Sequence, residues 1–163
     1  MLELLIGAAY AGPPEMIPME ALEIVGHPAP QFQLPLRDGG TFDLGAQKGK
    51  VVVMSFWASW CGPCRAELPA MTELAKTRTD VTWIAVNVDR QRADAEKFLK
   101  AVNVGLPIAL DNDSSALGDY MVMSMPTSFV VAPDGTVAYK KIGYSAEKGF
   151  TELITAIDGA KAR

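Results

Sequence analysis

The chain has 163 residues, of which 49% are hydrophobic, and it carries a formal net charge of −4 at pH 7. This length and composition predict one globular domain with a substantial core and some excess sequence at the N-terminus. The acidic balance, without an extended basic cluster, excludes a protein built to bind nucleic acid.

Residues 1–23 are predicted to precede the domain, which then spans residues 24–163. The apolar stretch 4–11 is too short to span a bilayer, and it ends in Ala9-Tyr10-Ala11, which is similar to the cleavage site of a secretory signal. Glu3 stands where such a signal carries positive charge, so the stretch is either a signal remnant or an alternative start. A proline-rich stretch then predicts a linker up to the domain.

From residue 24 onward, the hydrophobic pattern predicts strands that alternate with helices. In chain order, strands are predicted at 32–36, 41–43, 50–57, 81–88, 107–110, 127–132 and 136–142, and helices at 62–77, 93–102, 114–120 and after Ser145. Turn sequences join the first two strands and the last two strands as antiparallel hairpins. Ser145 suits the N-cap of the last helix, with Glu147 in its first turn. The alternation predicts a mixed α/β sheet with helices on both faces.

Both cysteines lie in one motif, Cys61-Gly62-Pro63-Cys64, where the third strand leads into the first helix. With a single histidine elsewhere, they fall short of the four ligands that structural zinc usually takes. At the first turn of a helix, the macrodipole and the unpaired N–H groups stabilise a thiolate, which is the nucleophile of disulfide exchange. Cys61 is therefore the predicted attacking thiol, and Cys64 is the thiol that resolves a mixed disulfide. Pro63 suits a helix start, and Gly62 leaves room for a partner chain.

Together with the preceding Trp60, this motif is the Trp-Cys-Gly-Pro-Cys active-site sequence of thioredoxins. Nearly the whole chain resembles the TlpA-like and ResA-like thiol–disulfide oxidoreductases of bacteria, with matching segments at 26–32, 51–69, 85–89 and 125–131. The resemblance implies a thioredoxin-like fold with an N-terminal β-hairpin and a central αβ insertion between Asp89 and Tyr120. It also implies a protein-disulfide oxidoreductase that uses no cofactor and no metal, only a redox-active Cys61–Cys64 disulfide.

The resemblance extends to the surface that would hold a client protein. Thioredoxin-like proteins place a cis-proline opposite the cysteine pair, and here the corresponding bond is Met125–Pro126. A cis bond at this point would let the backbone of Met125 pair with an extended client segment. Trp60, Gly62 and Pro63 complete the predicted client-binding residues.

A proton must leave Cys64 before this thiol can attack, and the acceptor used by thioredoxins is missing. The buried aspartate and lysine of thioredoxins align with Ser55 and Ala85. Glu67, three residues after Cys64, matches a glutamate that ResA-like proteins use near their thiols. The spacing places Glu67 on the helix face of Cys64, so it is either a catalytic proton acceptor or an exposed helix residue without a role.

The resemblance implies a reductant of exported client proteins, acting in cytochrome c maturation or on copper-site cysteines. Such a protein would be periplasmic or otherwise extracytoplasmic, with a membrane tether through residues absent from this chain, although a cytoplasmic location stays open. It would act as a monomer on clients with disulfides or thiols. A membrane thiol electron donor would recycle it.

Two other functions are kept as alternatives. One is a thiol peroxidase, because peroxiredoxins share the Ala-Pro-x-Phe sequence at 29–32 and the strand at 49–53, although their Pro-x-x-x-Thr/Ser-x-x-Cys pattern is absent before Cys61. The other is a copper carrier, because the alternating methionines in 121–125 are soft ligands suited to Cu(I). The Cys-x₃-Cys spacing and the distal histidine of copper-delivery relatives are missing, so thiol–disulfide exchange is favoured.

Overall fold

The computed structural model describes residues 23–163, so the predicted signal remnant and linker lie outside the described residues. The strands are β1 Gln33–Pro35, β2 Thr41–Asp43, β3 Val52–Trp57, β4 Thr82–Asn87, β5 Ile108–Leu110, β6 Thr127–Val131 and β7 Val137–Ile142. The helices are α1 Cys64–Thr77, α2 Arg92–Ala101, α3 Ser115–Asp119 and α4 Thr151–Ala160. None of the helices within residues 23–163 has the length and apolar character needed to cross a membrane.

Five strands form one mixed sheet in the order β5-β4-β3-β6-β7. β3, β4 and β5 run parallel, while β6 is antiparallel to β3, and β7 is antiparallel to β6. β3 lies in the centre, and all of its residues are buried because both of its faces are covered. Its carboxyl end leads directly to the cysteine motif, which therefore lies at the edge where the parallel strands end.

Alternate residues of β3 face two different layers. Val53 and Trp57 pack into a core with α1, α2 and α4. Val52, Met54 and Phe56 pack on the other face against α3, the β1–β2 hairpin and the loop before it. The predicted mixed sheet with helices on both faces is confirmed, and the cysteines belong to the α1 side.

The central insertion consists of α2, β5 and α3, and β5 extends the sheet beside β4. The N-terminal hairpin is docked on that same edge, where the Arg37 N–H donates to the Ile108 carbonyl at 2.8 Å. Tyr120 directly follows α3, and its hydroxyl donates to the Pro30 carbonyl at 2.9 Å. The hairpin is therefore held by β5 and by the end of α3, whereas α2 packs on the side of the sheet that carries the cysteines.

The prediction that Ser145 caps the last helix is wrong, because α4 begins at Thr151. A single turn does form when the Gly149 N–H donates to the Ser145 carbonyl at 2.9 Å. Gly149 then adopts a φ of +56°, in the left-handed region that interrupts a helix. Glu147 consequently lies before the helix, and Glu152 is the acidic residue of its first turn.

Candidate active site

The cysteine motif lies between the end of β3 and the start of α1. A tight turn closes when the Cys61 N–H donates to the Ala58 carbonyl at 3.1 Å. α1 begins at Cys64, directly after Pro63, whose φ of −61° suits a helix start. The cysteines are joined in a disulfide, and the Cys64 N–H donates to Cys61 Sγ at 3.3 Å. An N–H group of the first helical turn therefore points at the sulfur that is predicted to attack.

The two cysteines differ in their access to solvent. Cys64 is fully buried, whereas Cys61 is 4% exposed. Its neighbour Trp60 is 71% exposed, and a Cβ placed on Gly62 would meet no atom within 4 Å. Cys61 is therefore the more accessible of the two sulfurs, and the roles of Trp60, Gly62 and Pro63 in client binding stay predictions.

The loop before β6 carries the other part of the predicted client surface. The Met125–Pro126 bond is cis, as predicted. Met125 is partly buried and packs against the core cluster that contains both cysteines. Met123, two residues earlier, is 92% exposed. Within residues 23–163, no three or more His, Cys, Asp or Glu side chains are grouped so that they could hold a metal ion.

Glu67 is buried in the first turns of α1, with only 1% of its surface exposed. The Ser55 hydroxyl on β3 donates a hydrogen bond to its carboxylate. Burial raises the pKa of Glu67 to about 7, and the Ser55 and Ser128 hydroxyls oppose part of this rise. Glu67 is therefore not an exposed helix residue, and its use as the proton acceptor of Cys64 stays a prediction.

The register of the sheet explains why this carboxyl fits. Ser55 pairs with Ala85 on β4 and with Ser128 on β6, so three small side chains lie side by side. These strand positions include the two that align with the aspartate and lysine of thioredoxins. Here the acid comes instead from α1, because the small side chains leave room for the Glu67 carboxyl.

A small cavity lies beside Glu67. It is lined by polar and aromatic residues of β6, β7, α4 and the loop before α4, including Ser128, Tyr139, Lys141, Tyr144 and Glu152. Burial raises the pKa of Tyr144, and the charge of Glu67 raises it further. The Lys141 ammonium pairs with the Glu152 carboxylate at 2.6 Å. The cavity therefore brings polar side chains of other elements beside the buried carboxyl.

A buried polar cluster beside the active-site turn was not predicted from the sequence. Asp89, just past β4, is 4% exposed and accepts the Ser59 N–H at 3.0 Å and the Ser59 hydroxyl at 2.8 Å. The Asn87 amide donates to the same carboxylate at 2.8 Å. Ser59 lies in the turn that ends at Cys61, so Asp89 holds that turn in position. The sequence did carry a signal for this cluster, because the polar Asn87 and Asp89 lie at and just past the end of the otherwise apolar run of β4.

Comparison with known proteins agrees with this geometry. The AhpC/TSA family matches residues 25–140. The chain is 34% identical over 136 residues to the thiol-disulfide oxidoreductase ResA of Bacillus cereus, covering 80% of this chain and 79% of ResA. A candidate thiol:disulfide interchange protein DsbE from Chlorobium tepidum has a TM-score of 0.76 and 34% identity, over 82% of this chain and 95% of that one. The exposed lipoprotein thioredoxin Etrx1 of Streptococcus pneumoniae strain TIGR4 has a TM-score of 0.68 and 29% identity, over 77% and 98%.

ResA and the Chlorobium protein are both named for thiol–disulfide chemistry. The disulfide at the start of α1 is the group that this chemistry requires, and it lies just past the carboxyl end of β3. The predicted fold and the predicted enzyme class are both confirmed. The chain therefore belongs to the AhpC/TSA family and is a thioredoxin-like thiol–disulfide oxidoreductase related to ResA.

Proposed function

We propose that this protein reduces disulfides in exported client proteins, with Cys61 as the attacking thiol and Cys64 as the resolving thiol. The observation that carries the proposal is the difference between the two sulfurs. Cys61 Sγ accepts an N–H of the first turn of α1, while Cys64 is fully buried. Because a helix N-terminus stabilises a thiolate, Cys61 is the better nucleophile near neutral pH.

The reaction proceeds in two exchange steps. The Cys61 thiolate attacks one sulfur of a client disulfide, which forms a mixed disulfide and releases the other client sulfur as a thiolate. Cys64 then loses its proton and attacks Cys61 Sγ, so that the bond to the client breaks and its second thiolate leaves. Two electrons have passed to the client, and the protein holds the Cys61–Cys64 disulfide. A membrane-bound dithiol donor returns the protein to its reduced form.

Glu67 is assigned to the proton that Cys64 must lose. Its pKa of about 7 lets the carboxylate accept a proton near neutral pH and release it again. Ser55 fixes the orientation of the carboxyl by a hydrogen bond, and the adjoining cavity supports proton exchange with solvent. The backbone of Met125 would meanwhile pair with the client segment that carries the reacting cysteine.

The proposed location of the protein is based on a structurally similar protein, Etrx1 of Streptococcus pneumoniae. The pneumococcal protein is an exposed lipoprotein, and we place this chain outside the cytoplasm as well. The client classes that suit a reductant there are apocytochrome c and the cysteines of copper sites, whose thiols must be free before they bind haem or metal. We propose that the protein acts on them as a monomer.

Two single substitutions test the proposal. Cys64→Ser should accumulate mixed disulfides with clients in an extract of the native organism, because the resolving thiol is gone, while Cys61→Ser should trap none. Cys61→Ser should also abolish reduction of insulin disulfides. The Cys61–Cys64 couple of a reductant should have a potential more negative than about −200 mV. Full insulin reduction by Cys61→Ser would reject the assignment, and faster turnover of hydrogen peroxide than of insulin would favour a thiol peroxidase.

A further inference from the structure

An open groove lies between the active-site turn and α2. It is lined by Ser59, Arg65, Asp94, Lys97, Phe98 and Ala101. Ser59 and Arg65 stand on either side of the cysteine motif in the sequence, so the groove adjoins the disulfide. The exposed Trp60 follows Ser59 directly. A client segment bound to Cys61 would extend past Trp60 toward the groove.

The walls of this groove are held in place by contacts inside the protein. Ser59 is fixed by its hydrogen bonds to Asp89. The guanidinium carbon of Arg65 lies 5.0 Å from the centroid of the Phe98 ring, which is the geometry of a cation–π contact. Phe98 is itself packed in the core. The groove is therefore formed before any client arrives.

The side chains that line the groove carry more positive than negative charge. Arg65 and Lys97 are basic, and Asp94 is the acidic residue among the lining side chains. Within residues 23–163, the basic partners of the ion pairs are other residues, namely Arg37, Lys76, Arg78, Arg92, Lys141 and Lys161. Arg65 and Lys97 thus have no carboxylate partner there, although the chain as a whole carries a net charge of −4.

We infer that this groove is a client subsite that takes an acidic side chain located near the reacting cysteine of the client. The inference rests on the proposed function, since the client is brought to the groove by its bond to Cys61. A client carboxylate placed there would pair with Lys97 and with the edge of the Arg65 guanidinium that the Phe98 ring leaves open. Asp94 would disfavour a second acidic group, so the subsite accepts one.

The test uses disulfide-linked dimers of one short peptide in three versions, with Glu, Gln or Lys on both sides of its cysteine. The reduced protein is mixed with each peptide in excess. The rate constant for reduction of the peptide disulfide is measured from the change in tryptophan fluorescence of the protein. Each rate is divided by that for bis(2-hydroxyethyl) disulfide, a neutral reagent too small to fill the groove. This ratio removes any change in the intrinsic reactivity of Cys61.

The native protein should reduce the Glu peptide about threefold faster than the Gln peptide, and the Lys peptide most slowly, as expected for partly exposed charge pairs. Added salt should shrink these differences. Lys97→Gln should bring the Glu and Gln peptides to nearly equal rates, and Asp94→Asn should widen the difference. Lys48→Gln is the matched control, because the exposed Lys48 precedes β3 and so lies at the opposite end of that strand from the cysteines.

Equal rates for the three peptides with the native protein would overturn the subsite while leaving the proposed function intact. The subsite is likewise overturned if Lys97→Gln leaves the preference unchanged, or if Lys48→Gln reduces it as much. If the native protein reduces neither the peptides nor the small disulfide, the proposed function fails, and the subsite fails with it.

Discussion

Replacement of Glu67 by glutamine should stabilise the folded, oxidised protein at about pH 8 and change little at about pH 4. Burial raises the pKa of this carboxyl from its ordinary value of 4.5 to about 7 in the folded state. Between these two values the unfolded chain is ionised while the folded protein keeps its proton. The free energy of unfolding therefore falls as the pH rises through this window, and the loss is complete above about pH 7.

The size of this loss follows from the two pKa values. One unit of pKa difference is worth about 1.4 kcal/mol, so the ionised carboxylate costs the folded state about 3 kcal/mol above neutral pH. Glutamine has no charge to bury, and its amide oxygen can still accept the hydrogen bond from Ser55. We expect Glu67→Gln to gain about 3 kcal/mol at about pH 8 and to stay within about 0.5 kcal/mol of the native protein at about pH 4.

Urea unfolding of the oxidised protein, followed by tryptophan fluorescence at both pH values, measures this gain. Glu73→Gln is the matched control, because Glu73 lies on the same helix but is exposed and pairs with Lys76 at the surface. That control should change the free energy of unfolding by less than about 1 kcal/mol at either pH. If stability depended on pH in the same way for the native protein and for Glu67→Gln, the reasoning would be refuted.

Three further predictions concern the site. Glu67→Gln should slow the resolution of mixed disulfides and flatten the pH dependence of that step near neutral pH, measured by stopped-flow exchange rates, whereas superimposable pH profiles would reject the proton role. Asp89→Asn should lower the free energy of unfolding, measured in urea, by about 1–3 kcal/mol, because the new amide N–H group would face the Asn87 donor. Ser59→Ala should lower the free energy of unfolding less in the Asp89→Asn background than in the native protein. Trp60→Ala should leave stability within about 0.5 kcal/mol and raise the KM for insulin, since the indole is exposed, and an unchanged KM would remove Trp60 from the client surface.

Most of the fold could be predicted because its signals are local. The apolar, β-branched run of β3, the amphipathic pattern of α1 and the turn sequences each act over a few neighbouring residues. The start of α4 could not be predicted in this way. Ser145 is a good local cap, but the left-handed conformation of Gly149 delays the helix to Thr151.

The reactive pair could be identified without the structure, because both cysteines and Pro63 lie within four consecutive residues, and the strand and the helix that flank them have clear patterns. The environment of Glu67, in contrast, depends on the folded chain. Its burial and raised pKa involve Ser55 and Ser128, which are brought beside it by strand pairing and are distant in sequence. The contact between Asp89 and Ser59 spans 30 residues and likewise exists only once β3 and β4 are paired. The desolvation and the hydrogen bonds of a side chain depend on all the groups that surround it in space, and only the folded chain brings those groups together.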